Sequence, residues 1–387
     1  MSGFVAGNRI DLLHNGSEYF PALEAACDGA RREIYLETYI FADDATGRRI
    51  AAALSRAAKR GVAVCLLIDG FGSRELGEVF LNGLRDDGVR CVRFRPQISP
   101  WTLRRERLRR MHRKLAVIDA KLAFVGGINI IDDMITPNQV PPRFDYAVRV
   151  EGPLLAEIHA AVVRLWTLVM WTQLRRRGGA KPIEASAAPC GERRGAFVVR
   201  DNLRHRNDIE RAYLEALARA TTEVVIANAY FFPGKSFRNA LADAAKRGVR
   251  VVLLLQGRVE YMLLHFASRA LYRYFLDAGV EIHEYHRSFL HAKVAVIDER
   301  WATVGSSNID PMSLLLAREA NVMVEDAGFA RELRASLTDA MELGALRVQR
   351  SSWQQQSLAM RIMTWICYGL VRFLTGWSSY GRAREFK

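Results

Sequence analysis

The stretch from Met111 to Asp119, MHRKLAVID, occurs a second time as HAKVAVID from His291 to Asp298. Histidine, lysine and aspartate stand at the same spacing in both copies, and each copy is followed, again at matched spacing, by glycine and asparagine. One duplicated structural unit explains this match better than two coincidences, and an internal repeat bears on the fold before local detail does. We therefore predict two related halves that share one composite site.

The segments before each copy repeat as well. Apolar runs of strand length enclose an amphipathic helix, which is the pattern of a βαβ unit. The sequence AAKRGV at 57–62 returns at 244–249. We predict an α/β fold built from two similar units. The predicted elements are strand 34–41, helix 48–60 and strand 62–68 in the first half, and strand 224–232, helix 236–247 and strand 249–255 in the second.

Composition indicates where the units end. Residues 175–196 are rich in arginine, glycine, alanine and proline and carry no periodic pattern, which is typical of an exposed connection. The apolar segment 160–174 is interpreted as a core helix, with membrane contact as the secondary interpretation. The predicted division is a first half at 1–178, a linker at 179–195, a second half at 196–350 and a tail at 351–387.

The chain has 387 residues, 50% of them hydrophobic, which suffices for two cores of ordinary domain size. Its formal net charge of +14 indicates an anionic partner, and nucleic acid, an acidic membrane surface and a phosphate-bearing substrate fit equally well. The five cysteines lack the spacing of a zinc site or a disulfide framework, so we expect a reducing compartment. Residues 1–16 lack the charged start and apolar run of a signal peptide.

Alternation along a strand brings the histidine and lysine of each motif together, because residues two apart share a face. An imidazole and an ammonium group then converge on one spot. The same alternation puts the aspartate of each motif on the opposite face, so we assign the aspartates a supporting role at the turn or at the lysine. The predicted catalytic set is His112, Lys114, Asp119, His291, Lys293 and Asp298.

The turn that follows each motif suits a phosphate group. Glycine lets the backbone approach a ligand closely, and an asparagine side chain can donate a hydrogen bond. A lysine beside each histidine repels a divalent cation and attracts an anion, so we predict an anion site without a metal or other cofactor. The predicted phosphate-binding residues are Gly126, Gly127, Asn129, Gly305, Ser306 and Asn308.

Two histidines with different roles can carry out phosphodiester chemistry. One imidazole attacks phosphorus to give a covalent phosphohistidine, while the other, protonated, gives a proton to the departing alcohol and then deprotonates the incoming alcohol or water. Lysine and asparagine donors stabilise the developing charge by roughly 3 kcal/mol each. Each histidine needs an orienting acceptor, and the candidates are Asp145 and Glu319, for which a solvated surface acid is the alternative.

The tail carries an amphipathic helix from Leu358 to Trp377, with a narrow polar stripe and a wide apolar face. At ~1.5 Å per residue this helix nearly spans a bilayer core, but its two arginines favour a position in the membrane interface. Docking on the protein is about equally consistent with the pattern. A partner helix in an oligomer is the third alternative.

Arginines are concentrated just ahead of the first motif. They either lead anionic head groups towards the site or form a solvated loop, and without a lipid surface nearby the solvated loop is favoured. The cluster consists of Arg104, Arg105, Arg107, Arg109 and Arg110.

The two sets of histidine, lysine and aspartate resemble the duplicated HxKxxxxD signature of the phospholipase D superfamily. The resemblance implies a pseudo-dimer of two α/β units whose edges meet in one metal-free site. It implies that each histidine takes its acidic partner from the opposite half, which pairs His112 with Glu319 and His291 with Asp145. It also implies that His112, in the N-terminal copy, is the nucleophile.

Longer phrases, from about residue 8 to about residue 326, are similar to bacterial cardiolipin synthases of the B type. The resemblance implies transfer of a phosphatidyl group from one phosphatidylglycerol to the hydroxyl of another, with release of glycerol. It also implies a peripheral enzyme of the bacterial inner membrane, with the cytoplasmic side favoured. The phrases are LETYIF at 36–41, RRMHRK at 109–114, DYAVRVEGP at 145–153, ANAYFFPG at 227–234 and WATVGSSNIDP at 301–311.

Other functions remain as alternatives at this stage. A hydrolase or a nuclease of the same superfamily fits the motifs, and the basic charge also suits nucleic acid. A non-catalytic membrane scaffold is disfavoured because both motifs retain every reactive residue. The tail is longer and more apolar than we expect of the B type, and an oligomer is possible.

Overall fold

The computed structural model describes residues 3–95, 109–136, 140–173, 182–201, 205–258, 262–310, 317–351 and 358–380, with side chains up to Phe373 in the last segment. The first half contains β1 (Val5–His14), α1 (Asn15–Gly29), β2 (Glu33–Thr38), α2 (Ala45–Lys59), β3 (Ala63–Asp69), α3 (Glu78–Asp86), β4 (Arg90–Phe94), β5 (Arg110–Met111), β6 (Leu115–Ile118), β7 (Leu122–Gly126), β8 (Tyr146–Glu151) and α4 (Leu155–Thr172).

The second half largely repeats this order, with two helices at the place of α3. It contains β9 (Arg193–Arg200), α5 (Asp208–Arg219), β10 (Glu223–Asn228), α6 (Lys235–Lys246), β11 (Arg250–Gln256), α7 (Met262–Arg269), α8 (Tyr272–Asp277), β12 (Glu281–Tyr285), β13 (Lys293–Ile297), β14 (Trp301–Gly305), β15 (Ala317–Glu325) and α9 (Ala327–Gly344), followed by β16 (Ala345–Arg347) and the tail helix α10 (Leu358–Tyr380). The predicted α/β fold of two similar units is confirmed.

The described strands form one continuous sheet. Its order is β16-β12-β11-β10-β13-β14-β15-β9-β1-β8-β7-β6-β2-β3-β4, with β5 added beside β15. In each half the strands β2-β3-β4 or β10-β11-β12 are parallel, because helices cross between them. The motif strands β6 and β13 run antiparallel beside β2 and β10, so each motif histidine lies at the carboxyl end of the parallel strands. The halves join where β1 pairs with β9.

One hydrophobic core extends through both halves. Ile158 and Val162 of α4 belong to the same apolar cluster as Leu333 and Leu337 of α9. The opposite faces of the two half-sheets are covered by α1 to α3 and by α5 to α8, each with a cluster of its own. The predicted core helix at 160–174 is confirmed as part of α4, although Trp171 at its end is 71% exposed.

The end of the predicted linker, 179–195, is wrong. β9 begins at Arg193, inside that range, and pairs with both β1 and β15. Composition did not reveal the strand because two arginines stand at its start, where ion pairs with Asp326 and Glu325 hold them. Residues 174–181 lie outside the described part of the chain.

The tail helix α10 is present, and one of its faces docks on the second half, chiefly against α7. Thr364, Cys367, Tyr368 and Val371 lie on the docked side at helical spacing, so part of the predicted polar stripe faces the protein. No helix in the described residues is both long and apolar enough to cross a membrane. The large apolar side chains left exposed on α10 are Leu358, Met360, Ile362, Met363, Trp365, Ile366, Leu370 and Phe373.

Candidate active site

The motif histidines lie just before the motif strands rather than within them. His112 is followed by β6 from Leu115, and His291 by β13 from Lys293. The prediction that the first histidine and lysine alternate along a regular strand is therefore wrong in detail. Instead, the backbone N–H of each histidine bonds to a carbonyl group of the other half. His112 N–H donates to Arg318 O at 3.0 Å, and His291 N–H donates to Phe144 O at 2.8 Å.

These backbone bonds place each histidine beside a carboxylate of the opposite half. His112 Nδ1 lies 3.0 and 3.2 Å from the two carboxylate oxygens of Glu319. His291 Nδ1 lies 2.6 Å from Asp145 Oδ2. Since a carboxylate only accepts, the geometry puts the proton of each neutral ring on Nδ1 and leaves the Nε2 lone pair available. The alternative that Asp145 and Glu319 are solvated surface acids is wrong, because both are buried.

The motif lysines are buried in the site. Lys114 Nζ donates to the carbonyl oxygen of His112 at 2.8 Å, and Lys293 Nζ donates to that of His291. The ring of Tyr39 lies under Lys114 Nζ at 5.5 Å and against the ring of His112 at 4.8 Å. Each ammonium group is thus fixed to the backbone of the histidine that it accompanies.

Electrostatic effects join the two half-sites. Burial lowers the pKa of His112, partly opposed by Glu319, while the charges of Lys114 and Lys293 lower it further. Burial also lowers the pKa of His291 well below its ordinary value, and Lys293, Lys114 and His112 all contribute. Groups of both halves therefore act on both histidines.

The remaining titrating groups fit a site prepared for an anion. Burial lowers the pKa of Lys114 to about 7, and burial raises that of Asp145 to about 6 against the pull of Lys293. Burial alone would raise the pKa of Glu319, but His112 and Lys114 outweigh it and lower the value. A bound anion stabilises the charged form of buried ammonium groups.

The motif aspartates bond to backbone groups away from the motif histidines and lysines, so the structure does not support their place in the predicted catalytic set. Asp119 accepts backbone N–H bonds from Arg31, Arg32 and Glu33 at 2.8 to 3.0 Å, and Asp298 does the same for residues 221–223. Each stands in a tight turn with φ near +50°. Their function is to tie the hairpin turn to the start of a neighbouring strand, whereas the alternative of holding the lysine is wrong.

The glycines after the motifs provide room for protein groups. A Cβ atom at Gly127 would lie 2.3 Å from Asp145 Oδ1, and one at Gly126 would lie 2.5 Å from the backbone of β8. A Cβ atom at Gly305 would likewise lie too close to the Asn321 side chain. At the position equivalent to Gly127, Ser306 donates its hydroxyl to Glu319.

The amide side chains after the motifs are both buried. Asn129 Oδ1 accepts the Ile40 N–H at 3.2 Å, whereas Asn308 Oδ1 has no hydrogen-bond partner among the described residues. Phosphate binding by Asn129 and Asn308, and by the glycines, stays a prediction.

Sequence reasoning missed two side chains that hold the histidine segments. Asp69, at the end of β3, accepts the Met111 N–H at 2.8 Å. Gln256, at the end of β11, accepts the Leu290 N–H at 3.3 Å. Both lie at the carboxyl end of a buried parallel strand, the position where open α/β sheets place functional groups, and this was the signal available.

The predicted arginine cluster lies only partly within the described residues. Arg104, Arg105 and Arg107 fall in the segment 96–108, outside the described part; of the cluster, Arg110 packs on the Phe71 ring at 5.4 Å.

Among the described residues, no group of three or more histidine, cysteine or acidic side chains is placed to hold a metal ion.

The family model described as "Cardiolipin synthase, PLD-like domain" matches residues 23–159 and again residues 213–341. The chain belongs to this phospholipase-D-like family. The two matched ranges coincide with the two structural repeats, and each contains one motif histidine together with the acid that faces the other half's histidine.

Relatives of this phospholipase-D-like chain are named as cardiolipin synthases. It is 41% identical over 362 residues to cardiolipin synthase B of Escherichia coli K12, covering 90% of this chain and 85% of the relative. It is 43% identical over 335 residues to cardiolipin synthase B of Salmonella typhi, covering 87% and 81%. A solved phosphatidylserine synthase from Haemophilus influenzae matches 96% of each chain with a TM-score of 0.67 and 13% identity, which supports the fold alone.

Proposed function

We propose that this protein is a cardiolipin synthase, which transfers a phosphatidyl group from one phosphatidylglycerol to a hydroxyl of another and releases glycerol. The observation that carries the proposal is the pair of histidine–carboxylate contacts across the halves, His112 with Glu319 and His291 with Asp145. The names of the relatives support the choice of lipid. Two buried lysines, each hydrogen-bonded to the carbonyl of its motif histidine, suit the phosphodiester.

In the first step, His112 Nε2 attacks phosphorus and the bond from phosphorus to the glycerol oxygen breaks. His291, protonated when the anionic lipid is bound, gives its proton to that oxygen, so that glycerol leaves neutral. In the second step His291 takes the proton of the acceptor hydroxyl, whose oxygen attacks phosphorus and releases His112. The assignment of His112 as nucleophile follows the family resemblance, and Glu319 stabilises the positive charge that its ring then carries.

The ammonium groups of Lys114 and Lys293 stabilise the non-bridging oxygens. Both are buried and fixed by hydrogen bonds to the histidine carbonyls, so little reorganisation is needed as charge develops. Asn129 and Asn308 add uncharged donors in this proposal.

Membrane association is part of the proposal, with the protein lying on the cytoplasmic face of the inner membrane. The exposed face of α10 contains Trp365, Ile366 and Phe373, each more than half exposed, and Arg361 on the same helix is exposed to solvent. An apolar face with tryptophan and arginine suits the interface of a bilayer, and a net charge of +14 favours anionic lipids.

The activity is tested with purified protein and vesicles of phosphatidylglycerol and phosphatidylethanolamine, without added metal. We expect cardiolipin and free glycerol in a ratio of one to one, and a loss on the order of 10³-fold or more in His112→Ala and in His291→Ala. Release of phosphatidic acid without cardiolipin would favour a hydrolase, and cleavage of nucleic acid with no lipid product would favour a nuclease.

The nucleophile is identified by quenching a single turnover and mapping the phosphorylated peptide by mass spectrometry. We expect the label on the peptide that contains His112. Label on the His291 peptide instead would reverse the two roles and leave the overall reaction unchanged.

A further inference from the structure

A cavity lies beside His291, on the side of the second half. The carboxyl ends of β10 and β11 form its floor, and α7 and the start of α8 form its wall. It opens to solvent, and the space inside it is about 30 Å³, room for one or two water-sized groups. The polar side chains that line it are Tyr230, Gln256, Arg258, His265, Ser268 and Tyr272.

The cavity floor is bonded directly to the segment that carries His291. Gln256 Oε1 accepts the N–H of Leu290, the residue before His291, and Ala229 N–H donates to the carbonyl of Ala292, the residue after it, at 3.0 Å. A group held in this cavity therefore lies next to the catalytic segment.

One lining group, the side-chain amide of Gln256, is buried. Gln256 is 9% exposed, and its Nε2 has no hydrogen-bond partner among the described residues. An unpaired buried amide N–H is costly, which favours a ligand that accepts a hydrogen bond there.

The charge of the lining suits a group with a single negative charge and several hydroxyls. Arg258 is held by a bond from its Nε to the His286 carbonyl at 3.0 Å. Burial lowers the pKa of His265 to about 4, so this ring is uncharged near neutral pH. Ser268 and Tyr230 contribute hydroxyl groups.

The first half is built differently at the equivalent place. Asp69 accepts the Met111 N–H, as Gln256 accepts the Leu290 N–H. The Asp69 carboxylate also accepts the N–H groups of Phe71 and Gly72, at 2.9 and 3.1 Å. Those bonds close a tight turn. A carboxylate would also repel an anion where Gln256 offers a donor, so the asymmetry favours a ligand on the His291 side.

We propose that the acceptor lipid's head group lies at the mouth of this cavity with a hydroxyl or a phosphate oxygen inside it, and so presents the acceptor hydroxyl to His291. This inference rests on the proposed function. The acceptor keeps its own phosphodiester bonds throughout the second step, so its phosphate needs a place outside the catalytic lysines. Helix α7, which forms the wall of the cavity, packs against α10, and the outer face of α10 is apolar. The cavity therefore adjoins the surface proposed to face the membrane.

The experiment compares two acceptors for the same phosphohistidine. Phosphatidylglycerol vesicles are the donor, and transfer is measured to a second phosphatidylglycerol and to ethanol, which has no head group to bind. In Ser268→Asp, which adds a negative charge to the cavity lining and leaves the bond from the Leu290 N–H to Gln256 intact, we expect transfer to phosphatidylglycerol to fall at least about tenfold. Transfer to ethanol should change less than about twofold, and Ser268→Ala should show the same split more weakly.

A matched control adds the same charge elsewhere in the second half. Asn239→Asp on α6 is exposed and keeps an oxygen for the Tyr274 hydroxyl, so both transfers should stay as in the wild type. Equal loss of both transfers in Ser268→Asp would mean that the added charge acts on the catalytic segment and not on the acceptor, and no loss of either would mean that the cavity binds no acceptor; each result overturns the inference. A wild-type protein that uses ethanol but never phosphatidylglycerol contradicts the proposed function instead.

Discussion

At the scale of single residues, the two histidines have lowered pKa values for the same reason: both are buried, and the charges of two lysines add to the effect of burial. At His112 the carboxylate of Glu319 opposes the shift in part. In the proposed mechanism the attacking imidazole must be neutral in the free enzyme. A lowered pKa keeps it neutral at any pH above the ordinary histidine value.

The pH dependence follows from this. We expect the acidic limb of kcat/KM, which reports the free enzyme, to lie below pH 6.5, the ordinary histidine pKa. A bound anionic lipid stabilises imidazolium, so the acidic limb of kcat should lie at higher pH. Glu319→Gln removes a carboxylate that raises the pKa of His112, and should move the limb of kcat/KM further down as well as slowing turnover. A limb that stays unmoved in Glu319→Gln would contradict the pairing.

Asp298 makes a prediction about stability rather than catalysis. Burial would raise its pKa, but hydrogen bonds from the backbone and hydroxyls of Thr221 and Thr222 and from the Glu223 N–H outweigh that effect and lower the pKa to about 2. A carboxyl group whose pKa is lowered by folding stabilises the fold at pH values above its pKa in the unfolded chain. That stabilisation is lost as the pH falls through its pKa in the folded protein. After a discount for partial exposure, we expect Asp298→Asn to cost about 1–2 kcal/mol of unfolding free energy at pH 7.

Urea titrations at several pH values measure this difference. The gap between wild type and Asp298→Asn should close as the pH falls below about 4 towards 2. Turnover per folded molecule should stay close to the wild type, since the carboxylate does not reach the histidines. A variant that folds fully and yet turns over on the order of 10³-fold more slowly would restore a catalytic role to this aspartate.

At the scale of elements, α10 shows how one helix serves two surfaces. Its docked stripe includes Thr364 and Val371, which are 4% and 3% exposed, while Trp365 and Phe373 are 59% and 67% exposed. Burial of the docked stripe against α7 fixes which way the remaining apolar side chains point. The helix therefore presents a defined apolar face beside the second half.

We expect the triple variant Trp365→Ser, Ile366→Ser, Phe373→Ser to lose most of its binding to vesicles that contain phosphatidylglycerol, because each removes apolar area from the bilayer contact. Co-sedimentation with vesicles measures the loss. Val79→Ser, on the exposed surface of α3, is the matched control and should bind as the wild type does. If the triple variant still sediments with the vesicles but its oligomeric state changes in solution, the apolar face is an interface between protein chains.

At the scale of the whole molecule, the site exists only where the halves meet. The sheet is continuous through β1 and β9, and the cluster around α4 and α9 contains side chains from both halves. Neither half holds a complete histidine–carboxylate pair by itself. The stability of the joint is thus a condition for activity.

The shared core predicts that the halves unfold together. Leu333→Ala removes a fully buried side chain from that core and should cost about 2–5 kcal/mol. We expect calorimetry to show one transition at a lower Tm, and hydrogen exchange to speed up in both β3 and β11. Protection that persists in β3 after β11 has exchanged would indicate two independent folding units.

The sequence by itself determined the repeat, the α/β class, the amphipathic tail and the two histidine–lysine motifs, because each depends on spacing or periodicity that folding preserves. The acids illustrate the limit: Asp119 lies in the motif and serves the turn, whereas Asp145 and Glu319 lie outside it and contact the histidines. The family resemblance implied the pairing across the halves, but the chain's own spacing did not.

The tertiary structure decided what depends on contacts between segments distant in the chain. The bonds of His112 to Arg318 and of His291 to Phe144 are set when β5 reaches β15 and when the segment of Phe144 reaches that of Leu290. The docked stripe of α10 and the cavity beside Gln256 likewise depend on where α7 packs. Local periodicity carries no information about such partners, since the free energy that selects them comes from burial between elements and not from order within one.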